Sequence, residues 1–187
     1  MPIRIAFVDR DGTINVERNH LHRREDFEYL PRAVEGLRVF GRNGAKIIIV
    51  TNQAGIAKGL YGEAEFNALT DWMLADLAAR GVVIDQVVYC PHHPQGVVAE
   101  YRRECDCRKP GTALLSRALE QHGVDARDAV LVGDKNTDIE AGRRLGLTTC
   151  LVETGYGAAE KAHTGADFIA IDLEQAALQL IAAKFHA

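Results

Sequence analysis

Short apolar runs that stop abruptly on acidic or hydroxyl-bearing residues recur along the chain. Ile5-Ala6-Phe7-Val8 ends on Asp9-Arg10-Asp11-Gly12-Thr13, Lys46-Ile47-Ile48-Ile49-Val50 on Thr51-Asn52-Gln53-Ala54-Gly55, and Ala129-Val130-Leu131-Val132 on Gly133-Asp134-Lys135-Asn136-Thr137-Asp138. Such runs read as buried strands, and the pattern predicts six of them, over 3–8, 46–51, 86–90, 129–133, 148–152 and 167–170. The segments between carry helical spacing. Phe66, Leu69, Met73, Leu77 and Ala78 form an apolar stripe on a helix that begins at Glu63 and stops at Gly81, and Gly44, Gly123 and Gly146 punctuate other helices. Pro31 suits the first turn of a helix over 32–42 with Val34, Leu37 and Val39-Phe40 inward. Asp172 is a candidate N-cap for a final helix whose Ala176-Ala177-Leu178 and Leu180-Ile181 face the sheet. Alternation of this kind predicts an α/β fold, a Rossmann-like three-layer sandwich on a mainly parallel sheet.

The strand ends carry the chemistry. Two carboxylates two residues apart, Asp9 and Asp11, are costly at a sheet terminus unless a cation neutralises one or the surroundings keep the other protonated. In an open parallel sheet the ligand site lies beyond the carboxyl ends of the strands, so Asp9, Thr51 and Asp134 are expected to meet in one crevice.

Asp9-x-Asp11-Gly12-Thr13, then Thr51-Asn52, then Arg108-Lys109-Pro110, then Gly133-Asp134-x-x-x-Asp138, in that order, resembles the haloacid dehalogenase superfamily of phosphotransferases. The spacing between these motifs leaves no room for a separate cap domain. The site is therefore expected to be open, with specificity supplied by loops such as Glu17-Arg18-Asn19-His20 and the segment 91–109.

Composition narrows the partners. With 187 residues, 47% of them hydrophobic, the chain fits one domain, 1–187, with an adequate core. A formal net charge of −4 and the lack of a Lys/Arg-rich stretch argue against nucleic acid as a partner. No apolar stretch approaches the roughly 20 residues that span a bilayer, and Met1-Pro2-Ile3-Arg4 runs straight into the first strand. A cytoplasmic monomer acting on a small molecule, without a membrane partner, is expected.

Cys90-Pro91-His92-His93 and Cys105-Asp106-Cys107 place three of the four cysteines and an imidazole in one loop, 90–107. Thiols in a reducing compartment, with Cys105 and Cys107 too close in sequence to bridge without strain, suit tetrahedral zinc better than a disulfide. Four protein ligands with no open position mean a structural site. Spacing alone leaves His92 and His93 as alternatives. Cys150, in an apolar strand, reads as a core thiol. Because Arg108-Lys109 follow Cys107 at once, the metal loop would hold two cations at the mouth of the crevice.

Within the superfamily, Cys-x-His and Cys-x-Cys-Arg-Lys-Pro, together with Thr-Asn-Gln-x-Gly-Ile-Ala and Gly-Asp-Lys, closely resemble the heptose bisphosphate phosphatases and, as an alternative, the histidinol phosphate phosphatases. Another small phosphomonoester or a polynucleotide phosphatase is a further alternative. Cys90-Pro91-His92-His93-Pro94-Gln95-Gly96 favours the heptose enzymes, and the resemblance favours His92 as ligand. One departure is that relatives commonly read Lys-Pro-x-Pro-Gly where this chain passes from Lys109-Pro110 to Gly111-Thr112. The resemblance implies hydrolysis of the C7 phosphate of D-glycero-D-manno-heptose 1,7-bisphosphate in ADP-heptose and lipopolysaccharide core precursor synthesis. Asp9 would be the nucleophile, forming an aspartyl phosphate, and Asp11 the general acid and base. Mg²⁺ would be held by the carboxylates of Asp9 and Asp134, the backbone carbonyl of Asp11, and water. Asp138 would be outside the coordination shell or a solvated helix residue. Thr51 and Lys109 would stabilise the phosphoryl group, Cys90, His92, Cys105 and Cys107 would bind Zn²⁺, and Arg10, Glu17, Arg18, Asn19, His20, Asn52, Gln53, Arg108 and Lys135 would contact substrate, Arg108 and Lys135 in particular through a second phosphate.

Overall fold

Strands β1 (Ile5–Val8), β2 (Lys46–Asn52), β3 (Gln86–Cys90), β4 (Ala129–Gly133), β5 (Thr148–Val152) and β6 (Phe168–Ala170) form a parallel sheet in the order β3-β2-β1-β4-β5-β6 in the computed structural model, which describes residues 2–185. The helices are α1 (Ala33–Arg42), α2 (Ala54–Ala57), α3 (Glu63–Ala79), α4 (Ala113–His122), α5 (Asn136–Leu145), α6 (Gly157–Glu160) and α7 (Leu173–Phe185). Successive strand residues face opposite sides, so β1 splits its side chains between two cores. Ala6 and Val8 pack with Leu37 and Phe40 of α1, Leu77 of α3 and Leu180 of α7. Ile5 and Phe7 pack with Leu115 and Leu119 of α4 and Ala141 of α5. Truncating Phe7, fully buried in the second core, to Ala would cost about 3–5 kcal/mol.

The three layers agree with the alternating pattern. Differences lie at helix surfaces and ends. Pro31 precedes the helix, because Arg32 takes a left-handed conformation (φ 64°) and α1 starts at Ala33. Ala78 and Leu178 face solvent while Thr70 is buried, since the contact stripe of a helix is narrower than its apolar content. Asp172 does cap α7, its Oδ1 accepting from the Gln175 N–H at 2.8 Å. No helix among the described residues is long and apolar enough to cross a membrane.

The chain leaves β1 toward β2 on one side, and β4 begins the run to β5 and β6 on the other. This reversal opens the sheet beyond the ends of β1 and β4, where a ligand can reach both. Asp9 follows β1 directly and Asp134 follows β4, so the topology alone brings them side by side.

Candidate active site and metal clusters

The Asp9 backbone N–H donates to Val132 O of β4 at 2.9 Å, extending the β1–β4 pairing by one step and fixing the carboxylate at the crevice floor. Lys109 arrives from the long loop after β3. Its Nζ lies 2.5 Å from Asp9 Oδ1 and 2.5 Å from Asp138 Oδ1, and donates to Val50 O at 2.8 Å. Asn52 clamps the Lys109 backbone, accepting from its N–H and donating to its carbonyl at 3.0 and 3.1 Å. Lys109 thus keeps a buried, fixed position although the segment after Pro110 is shortened, and α4 starts at Ala113.

Asp9, Asp134 and Asp138 are all buried, with carboxylate oxygens within 4.8 Å of one another. Three carboxylates against one ammonium leave two negative charges, which a divalent cation would neutralise. Other features fit such an ion. Asp134 Oδ1 is buried without a partner, while Oδ2 accepts from the Tyr156 N–H at 2.9 Å. Gly12 (φ 90°) and Gly155 (φ 55°) cradle that carboxylate so closely that a Cβ on either would sit 2.1 or 2.2 Å from Oδ2. Burial, opposed by Lys109 and reinforced by Asp138, raises the Asp9 pKa to about 7, and burial, then Asp9 and Asp138, raise Asp134 to about 8. Lys109 is pushed up, because Asp138 and Asp9 outweigh its burial.

A stability prediction follows from those signs. Acids whose folded pKa is raised contribute stability that is fully present below their unfolded value near 3.8, and that is lost as pH rises toward 7 to 8. The metal-free protein should therefore lose stability over that window, and the gain in Tm from saturating Mg²⁺ should be larger at pH 8.5 than at pH 5.5. Thermal scans with EDTA or Mg²⁺ at the two pH values check this; equal gains would contradict it.

Asp11 is built differently. Its Oδ1 accepts from Arg10 Nη2 and Asn15 Nδ2, both at 3.0 Å, and its Oδ2 from Arg10 Nη2 and Gln53 Nε2 at 2.8 and 3.0 Å. Burial alone would raise its pKa, but Arg10 and the hydrogen bonds from Asn15, Arg10 and Gln53 hold it below the usual range. Arg10, expected at the substrate, is instead 1% exposed and outside the crevice, its guanidinium locked on Asp11 and over the Phe66 ring. Arg18 also lies outside, in an exposed ion pair with Glu28.

The remaining expected residues line a crevice of about 500 Å³. Thr51 Oγ1 accepts from Gln53 Nε2 at 2.8 Å, and Gln53 Oε1 accepts from the Tyr61 hydroxyl, so Gln53 ties Thr51 to Asp11. Glu17, Asn19, His20, Asn52, Arg108 and Lys135 complete the expected set, with Lys135 Nζ 3.4 Å from Glu17 and 4.4 Å from the Tyr156 ring centroid. Asp138 belongs in the cluster, and Lys58, His93 and Tyr156 line the crevice beyond the sequence expectation. The Gly133-Asp134-x-x-x-Asp138 spacing was the available signal for Asp138; nothing in the sequence pointed to Tyr156.

The second cluster sits at the end of β3. Cys90, Cys105 and Cys107 place their Sγ atoms 3.1 to 3.4 Å apart, and His92 Nδ1 lies 3.2 Å from Cys107 Sγ and 3.7 Å from that of Cys90. Three thiols and one imidazole converging on one point fit a tetrahedral soft-metal site. His93 turns away, its Nδ1 accepting from the Gln95 N–H. Cys150 is a buried core thiol, pushed up to about 12 by burial. Register pairs Cys90 with Asn52, so the loop that carries the Cys/His cluster starts beside the residue that later clamps Lys109.

Comparisons with known proteins agree with this geometry. A family model described as "HAD-hyrolase-like" matches residues 106–176. The chain is 47% identical over 159 residues to the D-glycero-alpha-D-manno-heptose-1,7-bisphosphate 7-phosphatase of Photorhabdus laumondii, covering 84% of this chain and 87% of that protein. It is 42% identical over 164 residues to the D-glycero-beta-D-manno-heptose-1,7-bisphosphate 7-phosphatase of Escherichia coli K12, covering 87% and 86%. The crystal structure of D,D-heptose 1,7-bisphosphate phosphatase from B. bronchiseptica, complexed with magnesium and phosphate, superposes with a TM-score of 0.86 at 29% identity, over 96% of this chain and 99% of that one. With the four motifs gathered beyond the carboxyl ends of the central strands and relatives matched over most of their length, the chain belongs to the heptose 1,7-bisphosphate phosphatase family of haloacid dehalogenase-like hydrolases.

Proposed function

We propose that the crevice hydrolyses the C7 phosphate ester of D-glycero-D-manno-heptose 1,7-bisphosphate, in ADP-heptose and lipopolysaccharide core precursor synthesis. The observation that carries this reading is a buried carboxylate, Asp9, held 2.5 Å from Lys109 at the floor of an open crevice, where it would act as the nucleophile. An Asp9 oxygen attacks phosphorus, the ester P–O bond breaks, and Asp11 gives the sugar oxygen its proton. Water then attacks the aspartyl phosphate, Asp11 takes a proton from it, and the phosphorus–Asp9 bond breaks to free phosphate. The hydrogen bonds on Asp11 favour its base form, so its acid form depends on the negative phosphate lying beside it. Thr51 and Lys109 offset the charge on the phosphoryl oxygens. Asp9, Asp134 and the Asp11 carbonyl, with Asp138 beside them, would hold Mg²⁺, which supplies further charge neutralisation at the phosphoryl group.

The thiol cluster of Cys90, His92, Cys105 and Cys107 is read as structural zinc that sets the path of the loop 90–107. The reading takes 1–187 as one catalytic domain, a cytoplasmic monomer acting on a small sugar phosphate. The purified protein is expected to retain one zinc per chain after dialysis, distinct from exchangeable Mg²⁺. Cys107→Ser should lose it and unfold at lower temperature, since structural zinc contributes directly to folding. Metal analysis that finds no zinc in protein made in zinc-replete medium would overturn the assignment.

A phosphate-release panel tests the substrate. Both anomers of heptose 1,7-bisphosphate, heptose 7-phosphate, histidinol phosphate and a 5′-phosphorylated oligonucleotide should be compared by kcat/KM. The heptose bisphosphates are expected to rank first; a higher value for histidinol phosphate would replace the substrate and leave the aspartate chemistry in place.

A further inference from the structure

The loop expected to set specificity, 17–20, follows the β1 motif and depends on neighbouring segments to hold its shape. Just beyond it the His22 ring stacks on Tyr61, with centroids 4.9 Å apart and planes 12° from parallel. At its tip Asn19 and His20 take left-handed backbone conformations, φ 51° and 77°, uncommon for residues that carry a side chain. Such a tip keeps one conformation only where surrounding contacts impose it.

A closed circuit of four side chains supplies those contacts. Glu17 Oε1 accepts from the Asn19 N–H at 2.8 Å, and Glu17 Oε2 accepts from Lys135 Nζ at 3.4 Å. Lys135 Nζ in turn lies 4.4 Å from the Tyr156 ring centroid, and the Tyr156 hydroxyl donates back to Asn19 Oδ1 at 3.5 Å. The circuit joins the segments after β1, β4 and β5, and all four residues line the crevice.

Within the circuit Tyr156 is the anchor. Its N–H donates to Asp134 Oδ2 at 2.9 Å, and Thr154 Oγ1, two residues earlier, donates to Gly12 O at 2.7 Å, so the turn that carries Tyr156 is tied to the segments after β4 and β1. The link to Asp134 runs through the Tyr156 backbone, whereas the links to Lys135 and Asn19 run through its side chain. Substitution therefore separates the two. A long hydrogen bond and a half-exposed cation–π contact are each worth no more than about fivefold in an equilibrium, so the tip is sensitive to losing both together.

We propose that Tyr156 is a positioning residue for substrate recognition: its ring and hydroxyl fix the tip at Asn19, and so hold the 17–20 wall of the crevice in the shape that receives the polyol part of the substrate. What the wall receives rests on the sugar phosphate reading above. How the wall is held rests on the side-chain circuit alone.

The test compares wild type with Tyr156→Ala and Tyr156→Phe; Tyr156 is 40% exposed, so both variants are expected to fold. Hydrogen exchange read by mass spectrometry reports the loop without any substrate. Amides over 17–22 should exchange at least about fivefold faster in Tyr156→Ala, with those of β1 and β4 unchanged, while Tyr156→Phe, which keeps the ring beside Lys135, should stay within about twofold of wild type. In kinetics, KM for heptose 1,7-bisphosphate should rise about tenfold in Tyr156→Ala while kcat falls less than threefold. The penalty on p-nitrophenyl phosphate, which has no polyol, should be at least about fivefold smaller, and Tyr156→Phe should recover most of the loss. The gain in Tm from Mg²⁺ should match wild type in both variants, since the N–H on Asp134 is kept. Unchanged exchange over 17–22 in Tyr156→Ala overturns the positioning role. Equal penalties on both substrates, or a lost response to Mg²⁺, overturn the role in recognition in favour of general damage to the crevice. If wild type hydrolyses p-nitrophenyl phosphate but not heptose 1,7-bisphosphate, the substrate reading fails, and the anchor stands or falls on the exchange result.

Discussion

Asp9→Asn is expected to lower kcat/KM by more than about 10³-fold, equivalent to about 4 kcal/mol of transition-state stabilisation, because the amide cannot form the aspartyl phosphate. The substitution is nearly isosteric and Asp9 is held through its backbone N–H, so the fold should survive, as circular dichroism and a thermal scan would verify. Asp11→Asn should also stop turnover, but it keeps the nucleophile. A phosphorylated enzyme should accumulate slowly in that variant and be absent from Asp9→Asn. Activity within about tenfold of wild type in Asp9→Asn, with deamidation excluded by mass, would falsify the nucleophile assignment.

Lys109→Met is expected to have the next largest effect, through two routes. It removes the ammonium 2.5 Å from Asp9, and loss of one preorganised charge at a developing anion costs about 10²- to 10³-fold in kcat. It also leaves Asp9 and Asp138 buried without their shared cation, a change worth about 3–5 kcal/mol when a buried pair is broken from one side. For a chain of this size 3 kcal/mol corresponds to roughly 6–12 °C in Tm. The loss should be greatest in EDTA and smaller in Mg²⁺, which replaces part of the missing positive charge. A variant with kcat within threefold of wild type would remove Lys109 from the chemistry, and a Tm unchanged in EDTA would remove it from the charge balance.

The fold was legible because uninterrupted apolar runs such as Ile47–Val50 and Ala129–Val132 have few alternatives to buried parallel strands, and their polar ends marked the crevice. What escaped was set by tertiary contacts. Asp138 read equally well as a solvated residue of a helix first turn, since the sequence does not show that Lys109 is inserted between it and Asp9. Arg10 lies between two site carboxylates in sequence, a position that suggests a substrate contact. Neighbouring residues at a strand end tend to point to opposite sides, and that alternation is the signal that would have separated Arg10 from Asp9. The choice between His92 and His93 depended on a loop path that spacing does not encode, and the structure turns His92 Nδ1 toward the thiols and His93 toward the crevice. Lys58 carries no motif, and only the left-handed turn at His20 brings an imidazole against it.

The most direct test of the account is to follow the wild-type protein acting on heptose 1,7-bisphosphate in Mg²⁺ by phosphorus NMR. The account predicts that the C7 ester resonance disappears as inorganic phosphate grows, while the C1 glycosyl phosphate persists as the product. Loss of the C1 phosphate first, or a substrate unchanged under conditions where p-nitrophenyl phosphate is hydrolysed, would contradict it.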